Sequence, residues 1–200
     1  MKIFKSLLAI AVIFSLSLNA FSLDKNDKGD AINVGEKVSD FTITNYDGAT
    51  YTLSNSGAKA TVIIFMSTEC PFVQPYTDRL IELNKQFSES GIVIWGINSN
   101  NTEPTDMVMT HAKEKGYTFP ILKDNDNQVA NMLGASRTPE VFVIDNNSMT
   151  LVYHGRIDDN KEADKVTSND LQTALNEFIA GQPIATNQTK AFGCSIKKAN

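Results

Sequence analysis

Thr61-Val-Ile-Ile-Phe-Met66, running straight into Ser67-Thr-Glu-Cys70 and Pro71, is the stretch that decides the fold. Six consecutive apolar or β-branched residues leave no polar face, the pattern of a strand covered on both sides. The pattern recurs in Ile92-Val-Ile-Trp-Gly-Ile97 and in Glu140-Val-Phe-Val-Ile-Asp145. Between the first two strands, Tyr76, Leu80, Leu83 and Phe87 repeat at helical spacing, and Gly91 ends that helix. A buried strand, a helix and a second buried strand in succession point to an α/β sandwich.

Toward the N-terminus, Phe41-Thr-Ile-Thr44 and Tyr51-Thr-Leu53 alternate in period two around Asp47-Gly48 and predict a β-hairpin. Toward the C-terminus, Thr150-Leu-Val-Tyr-His154 follows the third apolar strand after Asn146-Asn147 and predicts another. Thr105–Lys115 and Asn127–Leu133 are shorter helical segments. Thr167-Ser-Asn-Asp170 has the form of a capping box, opening a helix with Leu171, Leu175, Phe178 and Ile179 on one face. Gly181-Gln-Pro183 closes it. The expected fold class is α/β: a mixed central sheet flanked by helices, with an N-terminal β-hairpin. Residues 34–182 form the domain, 23–33 a polar linker, and 183–200 an extended tail that carries Cys194.

The chain has 200 residues, 42% hydrophobic and 20% charged, which suits one packed domain and excludes a disordered chain, a coiled-coil rod or a disulfide-dense miniprotein. A net charge of −5 argues against a nucleic-acid partner held by phosphate neutralisation. Two cysteines and two histidines, His111 and His154, are too few and too scattered for a structural zinc site, so neither metal nor cofactor is expected. Lys2 and Lys5 precede an apolar stretch from Leu7 to Leu18, and Ala20-Phe21-Ser22 has the small-x-small form of a cleavage site. Residues 1–22 thus read as a signal peptide. Interrupted by Ser15 and Ser17, the run falls short of the roughly 20 residues a spanning helix needs. The expectation is an exported chain, periplasmic or secreted, with no membrane partner after cleavage, in a compartment where disulfides persist.

Cys70 lies between the end of a buried strand and the start of a helix, with Pro71 suited to the first helical position. Open α/β sheets place ligands beyond the carboxyl ends of their strands, and a helix N-terminus lowers a thiol pKa below about 8.5. Ser67 and Thr68 offer hydroxyls that could orient a thiolate or a peroxide oxygen. The alternative is an inert small hydrophobe at a strand end. The acids Asp158, Asp159, Glu162 and Asp164 read as a solvated loop with Arg156 bonded to it. His111 and His154 read as surface histidines, and Trp95, Met107 and Met109 as packing residues.

Phe65-Met-Ser-Thr-Glu-Cys70 resembles the strand-to-active-site segment of thioredoxin-fold proteins, and Arg137-Thr-Pro-Glu-Val-Phe-Val-Ile-Asp145 resembles the segment that presents their cis-proline. Cys70-Pro-Phe-Val-Gln-Pro-Tyr76, Gly96-Ile-Asn-Ser-Asn100, Gly155-Arg-Ile-Asp-Asp159, Val166-Thr-Ser-Asn-Asp-Leu171 and Gly193-Cys-Ser-Ile-Lys197 are similar to a peroxiredoxin-like branch of the redoxin superfamily. That superfamily groups alkyl hydroperoxide reductase/thiol-specific antioxidant proteins with thioredoxins. The resemblance implies a thioredoxin-like fold, Cys70 as nucleophile, a cis Thr138–Pro139 bond, and Arg137, Thr138 and Pro139 at the substrate. The chain also departs from the pattern. Val73 replaces the second cysteine of a local pair, Ile63 the peroxiredoxin proline and Ile64 the buried thioredoxin acid, and Glu140 stands near where the peroxide-polarising arginine would fall.

The expected activity is therefore that of an exported thiol-dependent antioxidant oxidoreductase. Cys70 reduces hydroperoxides, Ser67 and Thr68 orient the oxygen, and Cys194 resolves the sulfenic acid, with an external thiol as reductant. Two alternatives stay open. One is thiol–disulfide exchange with exported proteins; the other is a non-catalytic module with a structural Cys70–Cys194 disulfide.

Overall fold

The computed structural model describes residues 31–199; the leader expected over residues 1–22 and most of the linker at 23–33 lie outside the described residues. The first buried stretch forms strand β3 (Ala60–Phe65), after a hairpin of β1 (Thr42–Thr44) and β2 (Thr50–Thr52). All six residues of β3 are buried. Val62 and Ile64 join a core with Leu80, Leu171 and Leu175, while Ile63 and Phe65 join a second core with Trp95, Leu133 and Phe142. Alternate side chains of one strand thus feed two cores, which is why the run has no polar face.

Helix α1 (Thr77–Phe87) carries the chain to β4 (Ile92–Asn98), parallel to β3. A crossover is what a parallel pair requires, since a tight turn cannot join two strands running the same way. Helix α2 (Thr105–Lys115) leads to β5 (Ile121–Lys123), and helix α3 (Gln128–Leu133) to the two-residue β6 (Arg137–Thr138). Strands β7 (Glu140–Asp145) and β8 (Thr150–Gly155) form the C-terminal hairpin, and helix α4 (Asp170–Ile179) packs on the first core. The central sheet runs β5-β4-β3-β7-β8, parallel on one side of β3 and antiparallel on the other.

This register gathers three loops at one end of the sheet. Phe65 pairs with Ile97 on one side and with Glu140 on the other. The chain leaving β3, the chain leaving β4 and the chain entering β7 therefore meet where Cys70 stands.

Several local expectations are corrected by the fold. The continuous helix from Pro71 is replaced by turns, a 3-10 segment at Gln74–Tyr76 and then α1 from Thr77. Pro75 has no N–H to give to the Pro71 carbonyl, so an α-helix cannot run through that point. The capping box at Thr167 does not form: Thr167 donates its N–H and hydroxyl to Asp159, and α4 begins at Asp170 without a side-chain cap. Asp158 is not in a solvated loop but buried, accepting the Tyr76 hydroxyl at 2.8 Å and an N–H of Arg79. Arg156 bonds Asp170 at 2.7 Å instead of the acidic loop. Trp95 packs as expected, but Met107 and Met109 are 39% and 47% exposed.

The tail is extended yet anchored. His154 donates its N–H to the Asn187 carbonyl and accepts from Thr189, both at 3.0 Å. Further on, Cys194–Ser195 forms strand β9, antiparallel to β6, and Ile196 is buried in the second core. Asn101 N–H then holds the Lys197 carbonyl at 2.7 Å. Most of these contacts run through backbone, which leaves no hydrophobic period to read.

Candidate active site

Cys70 and Cys194 are joined in a disulfide, with Cα atoms 6.0 Å apart and a separation of 124 positions in sequence. Two frames hold the pair. On the Cys70 side, the Ser67 hydroxyl oxygen accepts the N–H groups of Cys70 at 3.1 Å and Glu69 at 3.2 Å. The Cys70 carbonyl accepts the N–H of Val73 at 3.0 Å. Cys70 is 2% exposed. On the Cys194 side, Thr138 pairs with Cys194 and Arg137 with Ser195, and the Ile196 N–H reaches the Ser136 carbonyl at 2.9 Å. The Thr138–Pro139 bond is cis, as the family resemblance implied. The Thr138 carbonyl oxygen lies 3.2 Å from Sγ of Cys70, and its buried hydroxyl has no hydrogen-bond partner.

Ser67 and Thr68 do reach the site, but their hydroxyl protons go elsewhere. Ser67 donates to Oε1 of Glu103 at 2.5 Å, and Thr68 donates both hydroxyl and N–H to Oε2 at 2.7 Å. Asn98 donates to the same oxygen at 2.6 Å. A single buried carboxylate thus fixes the turn between β3 and Cys70. Behind it, Lys123 is buried and donates to Asn98 at 2.9 Å and to the Asn100 carbonyl at 2.7 Å. Burial pushes its ammonium below the ordinary value, against the opposing pull of Glu103 and Asp124.

Glu140 organises the opposite wall. Its Oε2 accepts the N–H groups of Ser136 and Arg137, each at 2.8 Å, and so shapes the approach to Pro139. Oε1 meets His154 Nε2 at 2.8 Å, and the imidazole stacks on Phe142 at 4.3 Å. His154 is therefore part of this wall and not a surface histidine. His111, half-buried, contacts Gln74 at 3.2 Å. Arg137 is exposed and donates to the Gly193 carbonyl at 3.2 Å, so it holds the tail.

Glu103, Glu140, His154 and the tail register were not assigned to the site by sequence reasoning. Glu103 sits in a polar loop between β4 and the start of α2, and nothing in its spacing marks it as buried. A cleft of about 310 Å³ opens over the disulfide, lined by Glu69, Cys70, Glu103, Cys194 and Lys197 among others. Among the described residues no cluster of histidine, cysteine and acid side chains is placed to hold a metal ion.

Residues 34–154 match the AhpC/TSA family. The thiol-disulfide oxidoreductase ResA of Geobacillus thermodenitrificans (strain NG80-2) is 28% identical over 141 residues, 70% of this chain and 77% of that protein. A hypothetical protein from Sinorhizobium meliloti 1021, of known crystal structure, is 32% identical with a TM-score of 0.77, covering 85% of this chain and 97% of that one. The thioredoxin domain of a thiol-disulfide oxidoreductase from Bacteroides vulgatus superposes with a TM-score of 0.60 at 15% identity, over 74% of this chain and 99% of that one. The last comparison concerns fold alone, and it shows the thioredoxin-like fold expected from the sequence.

Proposed function

The chain belongs to the AhpC/TSA family, and we propose that this oxidoreductase exchanges thiols and disulfides through the Cys70–Cys194 pair. The observation that carries the reading is the disulfide itself, set in an open cleft beside cis-Pro139 and braced by Glu103 and Glu140. The relatives named as thiol-disulfide oxidoreductases support it. The pair takes the place of a local dithiol that Val73 makes impossible. Its partners are protein disulfides or dithiols, with an external thiol as the source of electrons. Export supports the same reading, since the leader-like residues 1–22 would deliver the chain to a compartment where such bonds persist.

Hydroperoxide reduction draws less support from this geometry. It asks for hydroxyl donors and a cation at the Cys70 sulfur, whereas Ser67 and Thr68 give their protons to Glu103 and Arg137 binds the tail. The test is turnover of a protein disulfide such as insulin with dithiothreitol as electron source, run beside a peroxide-consumption assay. Exchange above the dithiothreitol background, lost in both Cys70→Ser and Cys194→Ser, supports the reading. Peroxide consumption without disulfide exchange would replace it with the peroxidase activity.

A further inference from the structure

The two cysteines of the pair both line the cleft but are not equally exposed. Cys70 is 2% exposed and belongs to the first core with Val73 and Tyr76, whereas Cys194 is only partly buried, on a two-residue edge strand beside exposed Ser195. The Thr138 carbonyl oxygen lies 3.2 Å from Sγ of Cys70, placed to accept a hydrogen bond from that thiol once the disulfide opens. Glu69 and Glu103 line the cleft over both sulfurs, while the cations belong to the Cys194 tail and to the strand it pairs with. The Arg137 guanidinium is fixed on the carbonyl of Gly193, the preceding residue, and Lys197 lines the cleft with Cys194. Positive neighbours attract a thiolate and favour the ionised form of the sulfur they flank.

Resting on the exchange reading, we propose that Cys194 is the sulfur a partner meets first and that Cys70 is the leaving and resolving sulfur. The order is the reverse of the one the strand-end position of Cys70 suggests. A partner thiolate attacks Sγ of Cys194. A bond forms between the two sulfurs, the Cys70–Cys194 bond breaks, and its electron pair departs on Sγ of Cys70. That thiolate takes a proton from water, and the resulting thiol has the Thr138 carbonyl as acceptor. A second partner thiolate then attacks the mixed disulfide, releasing the partner as its disulfide and leaving Cys194 as thiolate. Two partner thiols are oxidised and the protein pair is reduced, so electrons and protons balance. In the opposite direction, the Cys194 thiolate attacks a partner disulfide and Cys70 resolves the mixed species.

The tail geometry fits this division of labour. Cys194 is held upstream by the Thr189–His154 contact and downstream by Ile196 and Lys197, so opening the disulfide does not by itself free the strand. The thiols stay within reach of each other for resolution.

The experiment uses the oxidised full chain. Glutathione is added in modest excess, the reaction is quenched with acid after seconds, free thiols are alkylated, and peptides are mapped by mass spectrometry. Glutathione is expected on the Cys194 peptide with the alkyl group on Cys70, exceeding the reverse pattern by about tenfold, because attack follows sulfur access. Glutathione mainly on Cys70, or equal labelling, overturns the order while leaving exchange intact. A pair that remains fully oxidised under prolonged excess glutathione overturns both the order and the exchange reading.

Discussion

Thr138 stands directly opposite Cys194 in an antiparallel ladder of two residue pairs, so the backbone that enters the cis-proline also sets the position of the second sulfur. The same residue approaches Cys70 through its carbonyl oxygen at 3.2 Å. One residue therefore touches both halves of a pair whose members are 124 positions apart.

Gly193 is where this ladder is least tolerant. Its φ is +144°, and a Cβ there would lie 2.1 Å from the Thr138 carbonyl oxygen and 2.8 Å from its carbonyl carbon. Gly193→Ala is expected to cost the oxidised protein about 1–3 kcal/mol, the scale of a strained backbone position. Chemical denaturation with and without dithiothreitol checks it. The loss should be larger in the oxidised form, and an equal loss in both would place the strain elsewhere.

Thr138 carries a buried hydroxyl without a partner, and a buried polar group of that kind costs free energy. Thr138→Val keeps the branched shape and removes the hydroxyl. The expected result is a gain of about 1 kcal/mol in urea unfolding. A clear loss of stability would show that the hydroxyl is satisfied in solution.

Glu103 accepts four hydrogen bonds while 2% exposed. Glu103→Gln replaces one acceptor oxygen by a donor facing other donors, at an expected cost of about 1–3 kcal/mol. Because Ser67 in turn holds the Cys70 N–H, glutathione exchange should slow as well. Unfolding midpoints together with stopped-flow exchange rates measure both. Unchanged midpoints would remove Glu103 from the frame.

For Glu140, burial pushes the carboxyl up, but the His154 contact and the Ser136 and Arg137 N–H groups outweigh it and hold the group below its ordinary 4.5. With the folded value the lower one, ionised Glu140 stabilises the fold above 4.5, and this contribution is lost as pH falls through the depressed value. Glu140→Gln should therefore be less stable at neutral pH, with the gap closing below about pH 4. Urea midpoints for both proteins across that range decide it; curves that stay parallel into acid would contradict the assignment.

Reducing the disulfide opens a constraint spanning 124 residues, worth about 5 kcal/mol in the chain-entropy account. At roughly 2–4 °C per kcal/mol for a chain of this size, the thermal midpoint should fall by about 10–20 °C on reduction. Calorimetry of the oxidised and reduced forms measures the shift. Coincident melting would mean that the pair constrains little in the unfolded chain.

The amino-acid sequence by itself determined the scaffold. Unbroken apolar runs at 61–66, 92–97 and 140–145 can be buried on both faces only in a central sheet, and helical spacing from Tyr76 to Phe87 supplied its first crossover. The position of Cys70 just after a strand was legible for the same reason, because burial of a local segment leaves a local period. Tertiary structure alone decided what surrounds the sulfur. Glu103 reaches Ser67 and Thr68 across 35–36 positions, His154 reaches Glu140 from the neighbouring strand, and Asp158 is buried by Tyr76 and Arg79 rather than left in water. The tail finds its register on Arg137 and Thr138 through backbone bonds, with only Gly193 and Ile196 as side-chain requirements, too few to form a period. Such polar pairings leave no period in the chain; they exist only once the sheet has brought the ends of β3, β4 and β7 together, where each unpaired polar group must find a partner or be exposed to water.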